Sequence, residues 1–234
     1  MELRGTRIQR IAKMTSMKKG LLFSLCLIPC ILFAQTRPST QTPPTPQHTL
    51  MDTLRAELEI VFRADQQYRQ PLEATEKKYG WKSRQVDSLY KGMGIQDSID
   101  LGIVTHILDT YGWVGTDSIG PAGSTTLWTV IQHADLDVQQ KYLPMMRTAA
   151  QQGRAHANEL AYLEDRVALQ EGRKQTYGTQ FQLNKKTHKY IIAPIDDEPN
   201  VDRRRAAIGL EPLEDYAREA GITYKLPAAP KPNR

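Results

Sequence analysis

The sequence predicts a mainly α fold of the α+β kind, a helical domain with one small antiparallel β-hairpin. Three observations carry this. Apolar residues recur at helical spacing in five segments between residues 50 and 170. Polar and apolar residues alternate with a period of two only between residues 176 and 194. Glycines follow several segments directly, at the position where a chain leaves a helix.

Leu50–Tyr68 places Leu54, Leu58, Val61 and Phe62 on one face. Asp97–Tyr111 repeats the pattern with Ile99, Ile103, Val104, Ile107 and Leu108, and Gly112 stands at the stop. GWVGTDSIGPAG (112–123) is rich in turn formers and is expected to be a loop. Three further helices are expected at Ser124–Ala134, Leu136–Gln152 and Ala155–Gln170, the last two followed by Gly153 and Gly172. Thr176–Leu183 puts Tyr177, Thr179, Phe181 and Leu183 on one side of a strand. A polar turn at Asn184–Thr187 then leads to a second strand at His188–Pro194. Short helices at Asp202–Ile208 and Pro212–Ala220 end at Gly209 and Gly221.

The domain, residues 50–224, is preceded by two segments of other character. Residues 1–34 have the plan of a secretory signal peptide. Lys18 and Lys19 precede the apolar stretch Gly20–Phe33, and Ala34-Gln35 offers a cleavage site. Met17 is an alternative start. The stretch falls short of the roughly 20 residues of a membrane span, and the mature chain is expected to hold no transmembrane helix. Cys30 follows Pro29 where lipid attachment needs a small residue, so no lipid anchor is expected. Residues 35–49 hold four prolines and five threonines and read as a non-helical tether. Residues 225–234 read as a disordered tail.

The leader changes the charge balance. It contains six of the 31 basic residues and one of the 26 acidic ones, so 25 of each remain. The pI of 9.1 therefore describes the leader, and a nucleic-acid partner is not expected. Cys26 and Cys30 also lie in the leader. The 200 residues after Ala34 have no thiol for a disulfide, a zinc–cysteine site or a nucleophile. The expected location is periplasmic or extracellular.

The densest polar corner is QHADLDVQQ (132–140). Asp135 or Asp137 can cap the helix that follows, and Asp137 with Gln140 has capping-box spacing. The same residues can do chemistry. His133 is a candidate general base oriented by Asp135 or Asp137, and Tyr177 a candidate proton donor. A mixed N and O ligand set is a third use, but no second cluster with ligand spacing accompanies it, so neither a metal nor a cofactor is expected. Candidate ligand-binding residues are Gln132, Asp165, Arg166, Gln175 and Gln180. The last two can bond a ligand or each other. Gly178 in the YGTQ turn suggests close backbone approach or a bulge. GxSxG, HExxH, P-loop and GxGxxG motifs are missing from the sequence.

Asp followed by Ser or Thr and an aliphatic residue recurs at Thr53, Ser88, Ser98 and Ser118. It resembles the O-glycosylation acceptor motif of exported Bacteroidetes proteins. Local capping by Asp and Ser at helix starts explains it equally well.

QHAD (132–135), LAYLEDR (160–166), QTYGTQ (175–180) and VDRRRAAIGLEPLEDY (201–216) together resemble an uncharacterised bacterial family, domain of unknown function 6624. The resemblance spans about residues 50–218 and implies a self-standing domain without a known activity. Two functions stay open, and the first is preferred because no complete catalytic constellation is visible. One is an envelope binding or interaction module whose polar residues form a buried network for an unknown ligand or protein. The other is an envelope hydrolase or lyase acting on glycan or peptide, with His133 as general base. An open pocket around His133, Asp165, Arg166 and Tyr177 would favour the enzyme, and a closed core the module.

Overall fold

The computed structural model describes residues 46–187 and 189–227, with side chains from Thr49 onward. Residues 1–45, His188 and residues 228–234 lie outside it, and with them the expected leader and most of the expected tether and tail. The chain is mainly helical with one two-stranded antiparallel sheet. In order, α1 is Pro46–Arg69, α2 Leu72–Tyr79, α3 Arg84–Tyr111, α4 Thr116–His133, α5 Leu136–Gln151 and α6 Ala157–Gln170. The strands β1 (Phe181–Leu183) and β2 (Tyr190–Ile192) follow, then a 3₁₀ turn at Glu198–Asn200, α7 (Val201–Ala207) and α8 (Leu213–Glu219). No helix among the described residues is long and apolar enough to cross a membrane.

One apolar core joins the long helices. Leu54, Leu58 and Val61 of α1 meet Val104, Ile107 and Leu108 of α3, and Leu127 and Ile131 of α4 complete the contact. Tyr142 and Met146 of α5 and Leu163 and Val167 of α6 close the other side. Each such buried side chain contributes about 1.5–3 kcal/mol. A smaller cluster of Leu72, Val86 and Met93 fastens α2 to the first half of α3. There α3 presents Gly92 to the Tyr68 ring, where a Cβ would lie 2.5 Å from two ring carbons.

Several expected boundaries move. The first helix starts at Pro46, four residues inside the expected tether, because proline is tolerated in a first turn where the N–H has no partner. α3 starts at Arg84 rather than near Asp97, with the Ser83 hydroxyl accepting from Val86 N. Its inward stripe runs through Asp100, Val104 and Ile107, which leaves Ile99 52% exposed instead of in the core. Only residues 112–115 of the expected loop are loop. Thr116–Ile119 is a helical turn, and the axis then kinks at Gly120 (φ 74°, ψ 167°) before Pro121. Arg55 caps this break by donating to the Ser118 carbonyl at 2.8 Å.

The first strand is shorter than the alternation implies. Phe181 pairs with Ile192 and Leu183 with Tyr190, but residues 176–180 form a tight turn. Phe181 is buried and Leu183 is 47% exposed, so the two do not share a buried face. The turn is determined by polar partners, which outweigh periodicity here.

Thr53, Ser88 and Ser98 are exposed on helices and Ser118 is partly buried. Asp87 and Asp117 stand in the first turns of α3 and α4, where a negative charge favours the helix N-terminus. Thr53 and Ser98 lie in helix interiors, where capping does not account for their motifs.

Candidate functional site

Asp65 continues the apolar stripe of α1, four residues after Val61 and one turn before Arg69. It is 1% exposed. A carboxylate that deep needs partners, and it has several. Its Oδ1 accepts from His133 Nδ1 at 3.0 Å and lies 3.2 Å from Arg69 Nη1, and its Oδ2 accepts from Gln66 at 2.7 Å. Burial alone would raise the Asp65 pKa. The His133 hydrogen bond and the charges of His133 and Arg69 override it and hold the carboxyl below its ordinary value.

Two acids of α3 face the same place. Asp97 Oδ1 accepts from Arg69 Nη2 at 2.7 Å, so Arg69 bridges Asp65 and Asp97. Asp100 is 1% exposed. Its Oδ1 accepts from Gln96 at 2.9 Å, and its Oδ2 is buried without a hydrogen bond. Burial, and then the charges of Asp65 and Asp97, push its pKa up against the Gln96 bond. His133 is the last residue of α4. After Ala134 the extended Asp135 is the N-cap of α5. Asp65, Asp97, Asp100, His133 and Asp135, with Gly94, Ser98 and three apolar residues, line one pocket of about 270 Å³. That is at the small end for ligand sites and suits a single functional group.

Asp65, Asp97 and His133 each bring a ligand atom within 4.8 Å of the others, which is the spacing of a metal triad. The guanidinium of Arg69 already joins the two carboxylates, so a metal ion coordinating both would meet a fixed positive charge. The donor set does not fit a metal while Arg69 stays in place.

The QHAD residues take different roles because neighbours on a helix point about 100° apart. Gln132 turns toward α6. With its amide oxygen placed toward Arg166, it accepts from Nε at 2.7 Å and from Nη2 at 3.2 Å. The opposite orientation offers one bond of 3.5 Å to the Tyr162 carbonyl and sets NH₂ against the guanidinium, so the first is preferred. Arg166 is partly exposed as a residue, but its charged end lies deep enough that burial lowers its pKa to about 10. His133 turns the other way, to Asp65. Asp135 holds the N-cap position without a side-chain cap bond, and Asp137 is exposed and outside the pocket. The expected orientation of His133 by Asp135 or Asp137 is thus replaced by Asp65, 68 positions away.

Asp165, Gln175, Gln180 and the Tyr177 backbone form a closed second cluster. Asp165 is fully buried and accepts from Thr176 N at 2.6 Å, Tyr177 N at 3.0 Å, and Thr179 N and Oγ1 at 3.0 and 2.9 Å. Burial pushes its carboxyl up against these bonds. Gln175 accepts from Gln180 N and donates to the carbonyls of Gln180 and Ala193. The two glutamines thus bond each other rather than facing an opening. Gly178 is left-handed (φ +72°), and a Cβ there would lie 2.9 Å from both Ile195 and Leu213 methyls, the expected close approach. Arg205 Nη1 donates to the Tyr177 carbonyl and Tyr216 Oη to that of Thr179. The Tyr177 side chain is half-buried and does not line the pocket. Burial, then the charges of Glu164 and Asp165, raise its pKa.

The residues missed in the sequence are Asp65, Arg69, Asp97 and Asp100. A signal was present. Asp65 extends the stripe Leu54, Leu58, Val61, and Asp97 and Asp100 lie between Met93 and Val104 at the same 3–4 spacing. A carboxylate on a core stripe marks a buried polar site.

The fold and pocket define a class of protein, a helical domain with a small acidic pocket walled by three helices and a hairpin clamped through a buried aspartate. The chain belongs to the family described as family of unknown function (DUF6624), which matches residues 52–228. No curated protein and no solved structure matches the chain.

Proposed function

We propose that this is an exported envelope enzyme, a hydrolase or lyase acting on glycan or peptide, with His133 as general base. The observation that carries the reading is the 3.0 Å contact of His133 Nδ1 with buried Asp65 at the wall of an open pocket. A carboxylate at Nδ1 favours the tautomer with its proton there, which leaves Nε2 as the acceptor. Nε2 has no partner among the described residues. The His133 hydrogen bond and the charges of His133 and Arg69 hold Asp65 ionised, so the carboxylate can steady the imidazolium that forms when Nε2 takes a proton. The binding-module reading fits the other half of the polar residues, since the Asp165 cluster is closed and serves the fold. Export rests on the leader's basic and apolar pattern.

Digestion of purified peptidoglycan, followed by chromatography of the released fragments, tests the reading. The wild type should release fragments. His133→Gln should be slower by about 10²–10⁴-fold, and Asp65→Asn should fall between the two. No release by the folded wild type, or full activity in His133→Gln, would overturn it.

A further inference from the structure

The pocket's hydrogen-bonding capacity is unevenly used. Arg69 takes Asp65 Oδ1 and Asp97 Oδ1. Asp97 Oδ2 has no partner among the described residues, and the Asp135 carboxylate makes no cap bond. Asp100 Oδ2 is buried and unpartnered although the residue is 1% exposed. The unused groups that line the pocket are acceptors, while Arg69 Nε, also buried without a partner, belongs to a side chain outside the lining. A buried acceptor without a donor is costly, and a ligand donor relieves that cost. Four aspartates line the pocket, and the fixed charge of Arg69 is engaged by two of them.

We propose that the pocket binds a primary ammonium group of its substrate on its acidic wall, which Asp97, Asp100 and Asp135 line. This rests on the reading of the pocket as the working site and names the substrate class it would take. An ammonium is compact and carries three donors on one nitrogen, which suits a pocket whose open groups are carboxylate acceptors. A guanidinium is larger and planar, and Arg69 already supplies one. A neutral group would leave the negative charge uncompensated. With His133 on the same wall, the bond acted on lies next to the amine-bearing group.

The test titrates n-butylammonium, n-butanol and Mn²⁺ into ¹⁵N-labelled wild-type protein and into Asp97→Asn, Asp100→Asn and Asp135→Asn. Amide shifts of residues 94–101 and 133–135 are followed. Butylammonium should bind there saturably and butanol should not. Affinity should fall at least about tenfold in Asp97→Asn and Asp100→Asn and drop with added salt. Asp135→Asn, at an exposed position, keeps the test valid should a buried variant fail to fold. It should weaken binding about threefold or more. Equal binding of butanol, unchanged affinity in all three variants, or displacement of the ammonium by tightly bound Mn²⁺ would overturn the proposal. Ammonium binding without peptidoglycan turnover would remove the catalytic reading and keep the ligand class. Turnover without ammonium binding would do the reverse.

Discussion

Asp65 and His133, on α1 and at the end of α4, meet through a 3.0 Å hydrogen bond that fixes one wall of the pocket. The same Asp65 oxygen faces Arg69 at 3.2 Å. A buried acid thus orients the histidine, and the histidine together with Arg69 holds that acid ionised.

The fold favours ionised Asp65, whose pKa is held low. Its stabilisation is present above the unfolded value of about 3.9 and is lost as pH falls through the lower folded value. Asp65→Asn should cost about 3 kcal/mol at neutral pH because it leaves Arg69 less compensated. It should also flatten the loss of stability below about pH 4. Urea denaturation across pH measures both.

Asp100 has the opposite sign. Its pKa is raised by burial, so the protonated form suits the fold. Its contribution is full below about pH 3.9 and is lost as pH rises through the folded value. Asp100→Asn should stabilise the free protein by about 1–2 kcal/mol at pH 7, with the gain vanishing near pH 3.5. The same variant should weaken ammonium binding, a trade of function against stability.

Asp165→Asn should be among the most damaging single-atom changes. Whichever oxygen is replaced, it sets an NH₂ group against buried N–H donors, those of Thr176 and Tyr177 or that of Thr179. A loss of about 2–4 kcal/mol is expected, with early amide exchange in residues 175–195. Chemical denaturation and hydrogen exchange check it.

Gly178→Ala should cost about 2–4 kcal/mol, from a positive φ and from a methyl 2.9 Å from Ile195 and Leu213. Gly94→Ala should instead stabilise α3 by about 0.5–1 kcal/mol, since a Cβ at Gly94 meets nothing within 4 Å. The pair of melting temperatures separates shape from composition.

The sequence reveals the local elements well and the site only in part. α5 and α6 follow from their periodicity, and the glycines at 153, 172, 209 and 221 mark real helix exits with φ near +70°. The QHAD corner is legible because cap, histidine and aspartate lie within four residues. The start of α3 is hidden because residues 84–96 bury only Val86 and Met93 and contain two glycines. The partner of His133 is hidden for a different reason. Helical spacing reports which face a residue occupies, and it carries no information on which distant helix that face will meet.

The 68-residue separation of Asp65 and His133 also has a kinetic side. α5 and α6 are neighbours in sequence and pack closely, so that hairpin closes a short loop. The Asp65–His133 wall closes a long one, at a larger entropic cost, and is expected to form after the intervening helices have docked. A contact made on the native side of the barrier changes the unfolding rate and leaves the folding rate alone. His133→Gln should therefore shorten the lifetime of the folded protein without slowing its formation, the behaviour expected of a latch that closes late, and folding and unfolding rates in urea check it.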